Sequence, residues 1–480
     1  MTAGRLIVRG AGLSAAGLLV RLGARLLFLI VAGQLYGAAL FGAYSLAVAA
    51  VELATAIAGL GMKRLIFQHL DERGGRPEIH VIADAASLSL LIGLLLAGAL
   101  AAAVALAPAS WISANTAQAL VLLAPLIAAQ ALIDLMLAAT RWRHVLRYEV
   151  AGRSLVEPWT AIAGAGSAWY LGFEQTGLLF GYALGTLAAL IFALAGVGRT
   201  FGPARLRGWR PRRRRALAML SAAAANTAAD GLSGFLVRLD LYLVGILMGE
   251  HSAGVYGMAR QLAQPIRQVR QSFDGLLTPL VAKTLRAGGP ETAVRAVASA
   301  ARLILSIQLP MVIGMIAVGW PLLRWLGPEF AAGWVAAIFL AGAETVQGAF
   351  GVGELLFVYR RPRLGLGIIA ATVLVALAAV LLFTSIWGLA GAGAAVLLTY
   401  ALRAWTRRAA LRRSLGVGVP VRHSLWPALA GAAGAGIAWL TLPNGWAASW
   451  AAGLAIYAAL LLVWRRLTGE HLSLDHFAAH

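Results

Sequence analysis

The chain has 480 residues, of which 60% are hydrophobic and only 12% charged, and its mean hydropathy is +0.80. Soluble domains carry about 25% charged residues, so a water-soluble enzyme and an intrinsically disordered chain are both excluded. There is no cysteine, which removes disulfide frameworks, thiolate metal sites, cysteine nucleophiles and iron–sulfur clusters together. The net charge of +21 is read as membrane topology rather than nucleic-acid binding, because membrane proteins place Arg and Lys on cytoplasmic loops.

A membrane-spanning helix takes roughly 20 apolar residues. In chain order the hydropathy predicts fourteen spans, the first six near 10–32, 42–62, 81–106, 119–139, 156–173 and 177–198. The next six fall near 218–247, 255–281, 297–319, 331–357, 364–386 and 389–404, and the last two near 424–442 and 446–464. The predicted fold class is therefore an all-α polytopic membrane protein. Arg21 and Arg25 interrupt the first apolar stretch, so no cleavable signal peptide is expected.

The basic residues test this map. With the N-terminus inside, 32 of the 40 fall on inner connections, seven lie within spans, and one, Arg324, falls on an outer connection. That asymmetry predicts cytoplasmic N- and C-termini in a bacterial inner membrane. Trp111, Trp320, Trp387, Trp426, Trp446 and Trp464 fall near span ends, as an interfacial belt should. The loop at 199–215 holds eight arginines and is read as a topology anchor against anionic lipid.

That loop divides the first twelve spans into halves of six. The predicted organisation is an N-terminal lobe over 1–198, a basic linker over 199–216 and a C-terminal lobe over 217–404. A basic loop over 405–423 follows, then two further spans and a tail over 424–480. An internal repeat supports the halves. Phe41-Gly42-Ala43-Tyr44-Ser45-Leu46-Ala47 aligns with Ala253-Gly254-Val255-Tyr256-Gly257-Met258-Ala259 at an offset of 212, which Gly37 and Gly249 share. Six is an even number, so these are parallel repeats about an axis along the membrane normal. Transporters with that symmetry place substrate between the halves.

The arginines within spans are Arg21, Arg25, Arg238, Arg260, Arg267, Arg270 and Arg302. Each costs about 2.5–3.5 kcal/mol facing lipid at mid-span. Seven would total roughly 20 kcal/mol, more than the usual net stability of a protein. Most must face a wet cavity or a paired acid, although Arg302 is near enough to an inner end to snorkel. In the eighth span Arg260, Gln264, Arg267, Gln271 and Asp274 recur at spacings of 4, 3, 4 and 3, which makes one polar stripe along a helix. The first span carries Ser14, Arg21 and Arg25 on one side. The second carries Glu52, which the repeat aligns with Gln264. The seventh carries Asn226, Asp230 and Arg238, with Asp240 off that face, and Arg238 is expected to pair with Asp230 or Asp240. The tenth carries Glu344, Gln347, Gly351 and Glu354.

Arginine's planar fork suits phosphate, so a cavity with Arg21, Arg25, Arg260 and Arg267 would suit a diphosphate. A cationic drug would want the opposite sign. The acids Asp230, Asp240, Glu344 and Glu354 are candidates for a sodium or proton coupling site, with ion pairing as the competing role. No nucleotide-binding GxxxxGK[ST], zinc-site HExxH or GxSxG nucleophile elbow occurs. His471, His476 and His480 are read as surface residues, and no metal or other cofactor is expected. The outer connections are short, which counts against a membrane glycan ligase or polymerase.

Fourteen spans, two six-span halves and Gly42-Ala-Tyr-Ser-Leu-Ala47 after a short outer loop resemble the polysaccharide transporter family. So do Arg238-Leu-Asp240 followed by Gly254-Val-Tyr256, and Gly327-Pro-Glu-Phe330 opening the tenth span. This is the Wzx-type oligosaccharide flippase family of the multidrug/oligosaccharidyl-lipid/polysaccharide superfamily. The resemblance implies two pseudo-symmetric six-helix lobes plus two C-terminal helices, working by alternating access as a monomer. It implies an undecaprenyl-diphosphate-linked oligosaccharide as substrate, moved across the inner membrane for O-antigen, exopolysaccharide or capsule synthesis, and a polysaccharide polymerase as a pathway partner. Related lipid II flippases use cavity arginines in spans corresponding to those of Arg21, Arg25 and Arg260. Their two extra C-terminal spans help form a lipid-tail groove, and the uncharged spans 13 and 14 here fit that role. A lipid II flippase and a multidrug antiporter are the nearest alternatives.

Overall fold

The structure is a computed structural model. It describes residues 20–108, 111–202, 206, 208–287, 289–351, 362–415 and 422–468, and every regular element among them is helical. The chain divides into two compact units, with the division between Gly254 and Val255.

The helices of the first unit are α1 (20–36), α2 (Gly37–Ala58), α3 (Met62–Asp71), α4 (Glu78–Leu106), α5 (Ala114–Leu123) and α6 (Leu126–Trp142). They continue with α7 (146–170), α8 (Gly177–Phe201) and α9 (213–248). Next comes α10 (250–287), whose first turn still belongs to the first unit. The second unit continues with α11 (Gly289–Leu326), α12 (Trp334–Phe350), α13 (362–387), α14 (389–415), α15 (Arg422–Leu440) and α16 (Trp446–Thr468).

Eight helical stretches are long and apolar enough to cross a membrane. Three of them, of 39, 48 and 50 residues, are too long for one crossing, since about 20 residues at 1.5 Å each span the core. Each breaks at a glycine with positive φ: Gly37, Gly249 and Gly388. α5 and α6 join as one span across a 44° bend. With α7 and the shorter apolar α15, the described residues form fourteen crossing segments. α3 does not cross. It is ten residues long and buries Met62, Ile66 and Leu70 on one side only.

The repeat read from the sequence has a physical counterpart. Gly37 has φ 72 and ψ 179, and Gly249, 212 positions later, has φ 82 and ψ 177. That region of backbone space is essentially reserved for glycine. Equivalent positions five residues on then meet. A Cβ on Gly42 would lie 1.8 Å from the Glu250 carbonyl oxygen, and one on Gly254 would lie 1.8 Å from the Ala38 carbonyl oxygen. Ala38 and Glu250 are themselves 212 apart, so the contact, which lies within the first unit, is reciprocal about a local two-fold. Gly37→Ala or Gly249→Ala is expected to destabilise the chain by about 1–3 kcal/mol each, read as a lower thermal midpoint in detergent.

The first turn of α10 is also held by its side chain. The Glu250 carboxylate accepts hydrogen bonds from Ser113, from Asn115 at 3.0 Å and from Thr116 at 3.3 Å. Ser113 is the N-cap of α5 and accepts from the Thr116 backbone N–H. The carboxylate thus adds negative charge at a helix N-terminus, where the backbone dipole favours it.

At the other, arginine-rich end, the basic linker is docked rather than loose. Asp84 of α4 is 5% exposed. It accepts from Arg76, from Arg215 at 2.9 Å and from the Trp209 indole N–H at 2.9 Å. This ties the chain leading into α9 to the first unit. Asp84→Asn is expected to cost about 2 kcal/mol, because it removes the charge shared by two guanidinium groups around a buried oxygen pair. Thermal unfolding and faster proteolysis near 206–212 would report it.

In the second unit, α15 and α16 pack on α11. Ile313, Ile316, Ala430, Ala438 and Tyr457 form their shared core, and the Tyr457 hydroxyl donates to the Ser306 carbonyl at 2.8 Å. The opposite faces expose Leu425, Leu429, Trp439, Trp450, Leu462 and Val463, as helices bathed in lipid should.

Candidate functional site

The first unit gathers charge on α1, α2, α6, α7 and α9. Arg21 is exposed and donates to Ser154 of α7 at 3.3 Å. Arg25, one turn further along α1, is half-buried. Glu52 of α2 accepts two bonds from Arg238 of α9, at 2.5 and 3.2 Å, while Arg238 also donates to the Gly234 carbonyl at 3.0 Å. The carboxylate partner of Arg238 is therefore Glu52, where the sequence expects Asp230 or Asp240. Asp240 is buried and Asp230 half-buried, and each has interaction partners of its own.

Arg153 is the group the sequence reading passed over. That reading counts it on a connection before a span starting near 156, whereas α7 runs unbroken from 146 through a π-helical turn at Gly152–Val156. Arg153 donates to Asp134 of α6, to Glu157 at 2.7 Å and to Gln130 at 3.3 Å. Lys63 reaches Asp134 from the other side at 2.6 Å. Gln130 completes the network by donating to Glu157 and Thr186, both at 3.1 Å. The legible signal was Arg153-x-x-x-Glu157, an i,i+4 ion pair opening an otherwise apolar segment.

In the second unit the described part of the stripe on α10 is partly open, as are several residues off it. Leu262, Ala263 and Ile266 are buried, while Arg260, Gln264 and Arg267 between them are partly open and Gln271 is exposed. Arg267 donates twice to one carboxylate oxygen of Glu344 on α12, from Nε at 2.9 Å and from Nη2 at 2.5 Å. The structure thus joins one residue expected to bind anion and one expected to bind a coupling ion. Close beneath, Gln308 of α11 is fully buried and donates to the Ile266 carbonyl at 2.8 Å. Gly348 lets α12 pass it, since a Cβ there would lie 2.3 Å from the Gln308 amide nitrogen. Glu354, Ser14 and the tail histidines lie outside the described residues, as does the side chain of Asp274.

Each unit therefore offers guanidinium groups on spanning helices, some tied to carboxylates and still partly accessible. A guanidinium can take an anion bidentately, and those tied to carboxylates must share or exchange that partner to do so.

Among solved structures, the chain is similar to the lipid II flippase MurJ in an inward closed conformation. The identity is 12% and the TM-score 0.75, over 95% of this chain and 100% of that one. It is also similar to an inward-facing multidrug resistance MATE family transporter of the MOP superfamily, at 13% identity and a TM-score of 0.63, over 83% of this chain and 98% of that one. A third similar structure is a MOP superfamily transporter from Pyrococcus furiosus described as having a binding pocket of reverse polarity. There the identity is 14% and the TM-score 0.59, over 86% of this chain and 95% of that one. At these identities the likeness is one of fold. No curated protein sequence matches the chain significantly. A family model described as "Polysaccharide biosynthesis protein" matches residues 34–330. With more than half of its length matched, and with the two-unit, fourteen-span helical fold described above, the chain belongs to that polysaccharide biosynthesis family of multi-pass membrane proteins.

Proposed function

We propose that this protein is a flippase for undecaprenyl-diphosphate-linked oligosaccharide, moving repeat units from the inner to the outer leaflet of a bacterial inner membrane. The observation that carries the reading is a pair of arginines on a spanning helix of each unit, exposed Arg21 and half-buried Arg25 on α1, and half-buried Arg260 and Arg267 on α10. Guanidinium groups match a diphosphate in charge and geometry. The role of Gln264, Gln271 and Glu52 is to line the path of the glycan, while the polyprenyl tail stays in lipid. No covalent bond changes, so the protein is a transporter and not an enzyme. The termini are cytoplasmic, because the arginine-rich ends lie on the retained side.

With the inside negative, outward movement of an anion runs down the membrane potential and gains about 2.3 kcal/mol per charge per 100 mV, so the potential can drive export. Sodium or proton exchange through Asp230, Asp240, Glu344 or Glu354 is an added route. The polysaccharide polymerase is the partner that would receive the product, and the protein acts as a monomer.

A deletion strain tests the substrate. Loss of surface polysaccharide, with undecaprenyl-diphosphate repeat units accumulating on the cytoplasmic face, is the expected result. Normal polymer with altered resistance to toxic cations would replace this reading with drug export. A second reading, lipid II transport, is favoured by full coverage of the MurJ chain at a TM-score of 0.75; rescue of a strain lacking its lipid II flippase would select it. Orientation is directly testable because the chain has no cysteine. Arg210→Cys should be labelled only from the cytoplasm, and Leu171→Cys only from outside.

A further inference from the structure

We infer that Tyr457 of α16 and Gln308 of α11 are positioning residues for the turn of α10 that carries Arg267, acting through a proline break in α11. Pro310 lies inside α11. Proline has no backbone N–H, so the Ser306 carbonyl one turn earlier loses its helical donor. The hydrocarbon core offers no water in its place, and such a break is tolerated where a neighbouring helix supplies the missing bond. The Tyr457 hydroxyl does so, donating to that carbonyl at 2.8 Å. Tyr457 is buried and stands midway along the 23-residue α16.

The two sides of α11 at this level meet different partners. Ser306, Leu309, Pro310 and Ile313 share one face by their i, i+3, i+4, i+7 spacing. That face packs on glycines of the last two helices. A Cβ on Gly431 of α15 would lie 2.5 Å from Leu309 Cδ2, and one on Gly453 of α16 would lie 2.7 Å from Ile313 Cγ2. Gln308 is about 200° around the helix from Ser306. There it is fully buried and donates to the Ile266 carbonyl of α10. Ile266 lies between Pro265, which removes an N–H from α10 in the same way, and Arg267, which holds Glu344 of α12. Gln308 Oε1 has no hydrogen-bond partner among the described residues, so its amide grips α10 from one side only.

These contacts form one line across the second unit, from Tyr457 through Ser306 and Gln308 to Ile266 and Arg267. It passes a proline in each of α11 and α10, and prolines are where long helices bend. A tyrosine that only anchored α16 would not need to meet the one carbonyl that the break frees. With it there, α15 and α16 do more than face lipid. They set the bend of α11, and Gln308 passes that bend to the stripe. The consequence for transport rests on the stripe lining the path, whereas the tie itself requires no substrate.

The test uses the purified full-length chain in detergent. The chain has no cysteine, so Val269→Cys places a single thiol at a half-buried position two residues past Arg267. Its rate of reaction with a maleimide reports the opening of that turn, and the thermal midpoint reports folding. Tyr457→Phe keeps the ring and removes the hydroxyl. It should raise the rate about fivefold, the effect of losing one hydrogen bond of ordinary strength. Gln308→Met should raise it as well, and the two changes together should add little to either alone. Pro310→Ala returns an N–H to the Ser306 carbonyl and should abolish the effect of Tyr457→Phe. A lower midpoint with an unchanged rate in Tyr457→Phe would reduce the tyrosine to an anchor and overturn the inference. So would an equal effect of Tyr457→Phe with and without Pro310, or full additivity with Gln308→Met. Failure of the flippase reading would leave these rates as they are and would show instead as normal surface polysaccharide in the deletion strain.

Discussion

Alanine at Arg260 or Arg267 is expected to reduce transfer of the lipid-linked headgroup by roughly 100-fold, the scale of losing a charge-assisted bidentate contact to a desolvated anion. The two positions differ in what else they do. Arg267 holds Glu344, whose side chain is 8% exposed, so Arg267→Ala also strands a carboxylate. Part of its effect should therefore be lost stability, about 2 kcal/mol or more. The double variant Arg267→Ala/Glu344→Ala separates the roles. It should recover the thermal midpoint while transfer stays low. Recovery of transfer together with stability would mean that Arg267 only joins α10 to α12. Transfer at the original level in both single arginine variants would remove the stripe from the mechanism.

The second large effect belongs to the reciprocal glycines. Gly42→Val or Gly254→Val places atoms where a backbone carbonyl oxygen already lies 1.8 Å from the Cβ position. No rotamer relieves that, because the obstacle is main chain at both positions. The expected cost is about 3 kcal/mol, the upper range for overpacking, read as poor recovery from the membrane and a lower thermal midpoint. Gly98→Ala is the control. Nothing lies within 4 Å of its Cβ position, and alanine gains helix propensity of about 1 kcal/mol over glycine. A Gly42 or Gly254 variant as stable as the Gly98 variant would contradict the close crossing at the start of α10. Glu250→Ala should be milder than the glycine variants, since it frees hydrogen-bonding groups at a helix end rather than forcing backbones apart.

Much of the architecture was legible before any coordinate. Apolar runs of span length mark the helices because lipid forces every backbone group to be satisfied within the segment. The repeat at offset 212 was legible because Gly37 and Gly249 serve one backbone conformation that other residues avoid. The spacing of Arg260, Gln264 and Arg267 along one side was legible from helical period, but their exposure was not, since Gln261, Pro265, Gln268 and Val269 off that side are partly open as well.

Partner choice was not legible. Arg238 takes Glu52 from 186 positions away, and Arg267 takes Glu344 from 77 away; neither distance leaves a trace in local spacing. Arg153 was misplaced because a hydropathy window cannot see that Asp134, Glu157 and Gln130 converge to stabilise its charge on a helix. The docking of the basic linker on Asp84 was hidden for the same reason. Hydropathy, period and glycine placement are properties of a segment and survive in one dimension. Which carboxylate meets which guanidinium depends on how helices far apart in sequence pack, and the energy of a charge in a membrane is set by that meeting.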